Sequence, residues 1–143
     1  MSPQSGYAFE DLALGMSASF VKTIEERDVQ LFAEISGDTN PIHLDEEFAA
    51  RSPFGGRIAH GMLTAGLIST VIGTLLPGPG AIYLGQNLRF KAPVRLGDTV
   101  EAEVTVTELD ATRNRASFAT RCRVGDTVVL DGDALIMVPS KDR

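Results

Sequence analysis

Asp38 and His43 stand five positions apart in the run Ser36-Gly37-Asp38-Thr39-Asn40-Pro41-Ile42-His43, and His43 is one of only two histidines in the chain. A carboxylate and an imidazole brought to one point can hold a water molecule and take a proton from it near neutral pH, because imidazole titrates there while the carboxylate stays charged. On a regular helix five positions turn the two side chains about 140° apart, at about 100° per residue. The Asn40-Pro41 pair removes that objection, since proline drives the residue before it out of helical dihedrals. The segment can then leave its helix at Gly37 and overhang a cleft. The same residues also suit an ordinary helix end, with Asp38 and Asn40 making local turns and His43 on the surface.

The second histidine opens another possibility. His60 and Gly61 immediately precede a long apolar run. The first amides of a helix have no internal partner and carry partial positive charge. A glycine there lets a ligand oxygen come close, which is the geometry of an oxyanion hole. Alternatively Gly61 only eases a tight turn. Asp38, His43 and His60 also make a two-histidine, one-carboxylate set of metal-ligand type, although no His-x-x-x-His or His-x-Asp spacing is present. Arg57, Arg89, Lys91 and Arg95 are the basic residues nearest the same loop and strand. They suit phosphate contacts or solvated strand faces equally well.

These residues need elements to position them. Residues 1–8 read as a loose tail, and Met16, Ala18 and Phe20 alternate with serines as a first short strand. Thr23-Ile24-Glu25-Glu26 has the form of a capping box, followed by apolar residues at helical spacing through Ser36 and a stop at Gly37. Asp45 is placed to cap a second short helix through Arg51, and Ser52–Gly56 reads as a loop. Gly61 to Leu75 is apolar almost all round, the pattern of a helix inside a protein, and Pro77-Gly78-Pro79-Gly80 ends it. Thereafter the period is two: one strand over Leu84–Lys91, then Val100–Thr107, Ala116–Val124 and Val128–Val138, with a bulge expected at Gly132. Such alternation means antiparallel strands with one face on a core. The simplest assembly is an α+β fold in which one sheet wraps the buried helix.

At 143 residues, 43% apolar and 22% charged, the chain suits a single soluble domain over residues 1–143. A formal charge of −6 argues against a nucleic-acid partner. The longest apolar stretch falls short of the roughly 20 residues that span a bilayer, and no leader opens the chain, so a cytoplasmic protein without a membrane partner is expected. The single cysteine, Cys122, lies in a strand and reads as a buried thiol.

The run Phe32 to His43, with Ala49 after it, resembles the signature of the MaoC-like (R)-specific enoyl-CoA hydratases. Ile58-Ala59-His60-Gly61-Met62-Leu63 and Ile82 to Val94 resemble the same family's later blocks, and the similarity covers about residues 10–138. The nearest likeness is to the short hydratases that supply polyhydroxyalkanoate synthesis. The resemblance implies a hot-dog fold, a curved antiparallel sheet around one long helix, paired as a homodimer or a dimer of dimers. It implies that Asp38 and His43 are the catalytic pair, that Asn40 supports them, and that the Gly61 amide binds the thioester oxygen. His60, Arg57, Tyr83, Gly85, Arg89 and Lys91 are then expected to contact the acyl-CoA substrate. The reaction implied is reversible syn hydration of a trans-2-enoyl-CoA to the (R)-3-hydroxyacyl-CoA. Coenzyme A serves as the substrate's handle, and no metal or redox cofactor is needed. Asp38 would take a proton from the water as its oxygen attacks C3, and His43 would deliver one to C2 from the same face. Related readings are a dehydratase acting on a carrier-protein, branched or diacid thioester, a hot-dog thioesterase, and a non-catalytic acyl-CoA-binding protein. At Gly66 some relatives carry a serine, so Thr64 or Ser69 replaces that hydroxyl, or the pocket is reshaped.

Overall fold

The computed structural model describes residues 6–141. Six strands form one antiparallel sheet: β1 (Ser17–Thr23), β2 (Ile82–Gln86), β3 (Arg89–Phe90), β4 (Thr99–Asp110), β5 (Arg115–Val124) and β6 (Thr127–Met137). Their order is β1-β4-β5-β6-β2, with β3 also on β6. Four α-helices accompany them, α1 (Glu26–Ser36), α2 (Pro41–Leu44), α3 (Glu46–Ala50) and α4 (Gly61–Thr74), with one short 3-10 helix at Phe9–Asp11. α4 packs on β4, with β1 and β5 to either side. This is the α+β hot-dog arrangement that the sequence implied.

The alternating strands and the apolar helix meet in one core. Val100, Ala102, Val104 and Val106 of β4 and Ala116, Phe118 and Cys122 of β5 turn inward against Leu67, Ile68, Val71 and Ile72 of α4, all buried. Cys122 is as enclosed as expected, and burial pushes its thiol up to about 12.

Four details depart from the sequence reading. Met1–Ser5 of the expected loose tail lie outside the described residues, but Gly6–Ala8 are docked: Gly6 is buried, and the Tyr7 amide donates to the Pro77 carbonyl at 2.7 Å. Thr23 does not cap α1. It is the last residue of β1, paired with Thr99 through their hydroxyls at 2.7 Å, and Asp28 instead accepts the Glu25 amide at 2.9 Å. The helix start moves because the sheet ladder claims Thr23 first.

The expected strand over Leu84–Lys91 is broken at Asn87 and Leu88. A Cβ on Gly132 of β6 would lie 1.9 Å from the Asn87 carbonyl oxygen, so only glycine admits this crossing. Asn87 then replaces a ladder bond, its side chain accepting the Asp133 amide at 3.1 Å. The bulge on β6 therefore sits at Val129 rather than at Gly132: Leu130 pairs with Cys122 and Val128 with Arg123, while Gly132 pairs in register with Thr120. The Val129 carbonyl accepts the amides of both Lys91 and Ala92, at 2.8 and 3.2 Å. That bulge shapes one wall of the cavity described next.

Candidate active site

Gly37 ends α1 in the left-handed conformation, with φ of 79°, and its amide donates to the Ala33 carbonyl. The chain turns sharply there and releases Asp38. Asn40 begins α2: its side-chain oxygen accepts the Ile42 amide at 3.1 Å, and Pro41 occupies the first helical position. α2 is only four residues long and was not anticipated from the sequence. It turns His43 inward, where the imidazole is 8% exposed. Asp45 caps α3 as expected, accepting the Phe48 amide at 3.1 Å, and α3 closes at Ala50 with Arg51 as its C-cap.

Asp38, His43 and His60 each present a ligand atom within 4.8 Å of the other two. His43 Nδ1 lies 2.8 Å from the Ile58 carbonyl. A carbonyl only accepts, so Nδ1 carries the hydrogen and Nε2 is left with its lone pair. Burial holds the His43 pKa below the usual histidine value, and the neighbouring His60 adds to that effect. The Ile58 bond and Asp38 pull in the opposite direction and do not overcome it. His60 Nε2 lies 3.0 Å from the Asp38 carbonyl, which tethers the overhanging segment to the start of α4. The His43 and His60 rings stack at 3.9 Å, and the Phe32 ring of α1 lies tilted against His60 with centroids 4.7 Å apart.

These groups border a cavity of about 450 Å³. Its lining also includes Gly61, Met62 and Thr64 of α4, Phe54 and Ile58 of the preceding loop, the segment Phe90–Val94, and Val129 and Leu130 of β6. Among the expected site residues, Asp38, His43, His60, Gly61 and Lys91 face it. Gly61 is the first residue of α4, and a Cβ there would lie 2.7 Å from the Phe90 ring. The Phe90 ring closes against the bare Cα, beside the helix amides that have no internal partner. Lys91 Nζ pairs with Asp131 at 2.8 Å while remaining half exposed.

The other expected contacts lie elsewhere. Asn40 caps α2, the helix that carries His43. Arg57 is engaged within the protein: its Nε donates to the His43 carbonyl at 2.7 Å, and its two terminal nitrogens grip Glu26 at 2.6 and 2.8 Å. That bidentate contact, with help from Gln30, holds the Glu26 carboxyl down at about 2. Tyr83 donates to Gln86, and its burial pushes the phenol up to about 12. Tyr83 and Gly85 lie on edge strand β2, and Arg89 borders a separate polar groove with Glu103 and Arg121. Sequence reasoning missed the Ile58 carbonyl that orients His43 and the Phe32 ring that packs on His60. A main-chain acceptor leaves no mark in residue types, and Phe32 read simply as part of a helical apolar stripe.

Residues 13–129 match the family profile of the MaoC like domain. A 3-hydroxybutyryl-CoA dehydratase of Methylorubrum extorquens is 61% identical over 134 residues, spanning 94% of this chain and 85% of that protein. An (R)-specific enoyl-CoA hydratase of Rhodospirillum rubrum is 56% identical, spanning 93% and 92%. The solved structure of R-hydratase PhaJ1 from Pseudomonas aeruginosa in its unliganded form superposes with a TM-score of 0.91 at 48% identity, over 96% of this chain and 89% of that one. With this similarity along most of its length and the same fold, the chain belongs to the MaoC-like family.

Proposed function

We propose that this protein is an (R)-specific enoyl-CoA hydratase, adding water across the trans-2 double bond of an enoyl-CoA to give the (R)-3-hydroxyacyl-CoA and removing it in reverse. The observation that carries this reading is the convergence of the Asp38 carboxylate and the buried His43 imidazole on an apolar cavity that ends at the N-terminus of α4. The relatives' names, dehydratase and hydratase, describe the two directions of one such reaction.

The cavity walls suit an acyl chain. A water held between Asp38 and His43 attacks C3, and its proton passes to that pair. The pair returns one proton to C2 on the same face, so the atoms of one water are added syn. His43 enters this cycle neutral, with Nδ1–H held by Ile58. Nε2 can therefore deliver a proton to C2 only after receiving one, either directly from the water or through Asp38. Negative charge developing on the thioester oxygen is met by the Gly61 amide at the helix N-terminus, a donor of the kind commonly worth about 3 kcal/mol. No step draws on a metal or redox cofactor.

Two copies are proposed to join through edge strands β2 and β3, where Ile82, Leu84 and Phe90 stand exposed beside Met62 of α4. No helix among the described residues is long and apolar enough to cross a membrane, which suits the proposed cytoplasmic location. The deciding experiment follows crotonyl-CoA in solution. Loss of the conjugated enoyl absorbance without release of free thiol, and a product of R configuration, are expected. Asp38→Asn and His43→Gln should each lower turnover by about 10²–10⁴-fold with the fold intact. Thiol release instead would indicate a thioesterase, and wild-type rates in either variant would remove the mechanism.

A further inference from the structure

Two side-chain atoms of the most deeply buried residues lining the cavity have no hydrogen-bond partner among the described residues: His60 Nδ1 and Thr64 Oγ1. His60 is 1% and Thr64 2% exposed, and both line the cavity. They stand one helical turn apart at the start of α4, so they present neighbouring faces to the same space. Because His60 Nε2–H is engaged by the Asp38 carbonyl, Nδ1 holds a lone pair and only accepts. The threonine hydroxyl both donates and accepts. His43 stacks on the His60 ring, and Val94, Val129 and Leu130 give the same cavity apolar lining.

We propose that His60 Nδ1 and Thr64 Oγ1 hold one water as a polar stop for the acyl chain, making Thr64 a residue that selects short acyl groups. This rests on the hydratase reading above. A water can donate to Nδ1 and accept from the hydroxyl, satisfying both atoms. A short acyl chain leaves that water in place. A longer one reaches that water and displaces it with methylene groups that can form neither hydrogen bond, stranding two buried polar atoms. Discrimination then comes from a penalty against the longer chain, not from a better fit to the short one.

The test is the ratio of kcat/KM on crotonyl-CoA to that on trans-2-octenoyl-CoA, measured for the wild type, Thr64→Val, Thr64→Ala and Thr64→Ser. Valine keeps the shape of threonine and removes the hydroxyl, so the ratio should fall about tenfold or more, chiefly through a gain on the octenoyl substrate. Alanine carries the same expectation should the valine variant fail to fold. Serine keeps the hydroxyl and with it the ratio. A ratio within twofold of the wild type in the variants that lack the hydroxyl, or an equal fall in the serine variant, overturns the inference while leaving the hydratase reading standing. A wild type inactive on both substrates overturns the reading itself, and this inference with it.

Discussion

The imidazole rings of His43 and His60 lie face to face, centroids 3.9 Å apart and planes inclined by 29°. Burial takes His43 out of water and disfavours its charged form, and the adjoining His60 adds to that effect. The acid limb of kcat/KM for hydration should therefore fall at a pH below the ordinary histidine value of 6.5, because His43 stays neutral to lower pH than a free imidazole. The profile of kcat/KM against pH on crotonyl-CoA checks this, and an inflection at or above 6.5 would mean that another group controls the rate. The same depression acts on stability. The unfolded chain takes up the histidine proton first as pH falls, so His43 contributes stability fully above its unfolded value and loses it as pH drops through its lower folded value. Glu26 adds a second loss further down, between its ordinary value of 4.5 and about 2. Urea unfolding at stepped pH should show both.

Arg57 links that pair to α1. Its Nε holds the His43 carbonyl while its terminal nitrogens hold Glu26, so the guanidinium fork fixes the backbone that presents the imidazole. Lysine keeps the charge but cannot make three directed bonds. Arg57→Lys should lower kcat by about tenfold and leave KM for acyl-CoA within twofold, since a displaced general acid–base group affects turnover rather than binding. Steady-state kinetics separate the outcomes: a raised KM with unchanged kcat would return Arg57 to the substrate phosphates.

Gly61 and Phe90 form a second coupled pair. A methyl group on Gly61 would press into the Phe90 ring at 2.7 Å, and the ring, at the end of a side chain half open to solvent, can move only by leaving the cavity wall. Gly61→Ala should therefore lose about tenfold or more in kcat/KM with little change in melting temperature. Adding Phe90→Leu should restore a large part of it, because the amide itself is untouched. A double-mutant cycle measures the coupling, and strict additivity would show that the loss has another origin.

What the sequence made legible and what it hid follow from the range of the interactions. Asp38, His43 and the Gly61 entrance to α4 were readable because glycine, proline and capping side chains act locally, within a turn of the residues they position. The buried helix and the alternating strands were readable because burial imprints a period. Competition between elements was not. Thr23 suits a cap by its own neighbours, yet pairs with Thr99 far along the chain. Arg57 looked free for phosphate because Glu26 lies 31 positions away. The Ile58 carbonyl that sets the tautomer of His43 belongs to the backbone, which every residue type shares.

The break between β2 and β3 gives the sharpest structural prediction. At Gly132 an added Cβ would meet the carbonyl oxygen of Asn87 at 1.9 Å, its carbon at 2.8 Å and its side-chain oxygen at 2.9 Å. Two of those atoms are backbone, so no rotamer change relieves the overlap. Separating the chains would strain the Asn87 amide bond to the Asp133 carbonyl and the Asp133 amide bond to the Asn87 side chain, at 3.0 and 3.1 Å. Gly132→Ala should cost about 2–4 kcal/mol, well above the usual effect of a surface substitution. Denaturant unfolding at neutral pH measures it. Because Phe90 and Lys91 follow directly on this crossing and line the cavity, activity on crotonyl-CoA should fall in any fraction that still folds. A loss below about 1 kcal/mol would mean that β2 and β3 can be displaced from β6 at this point without strain.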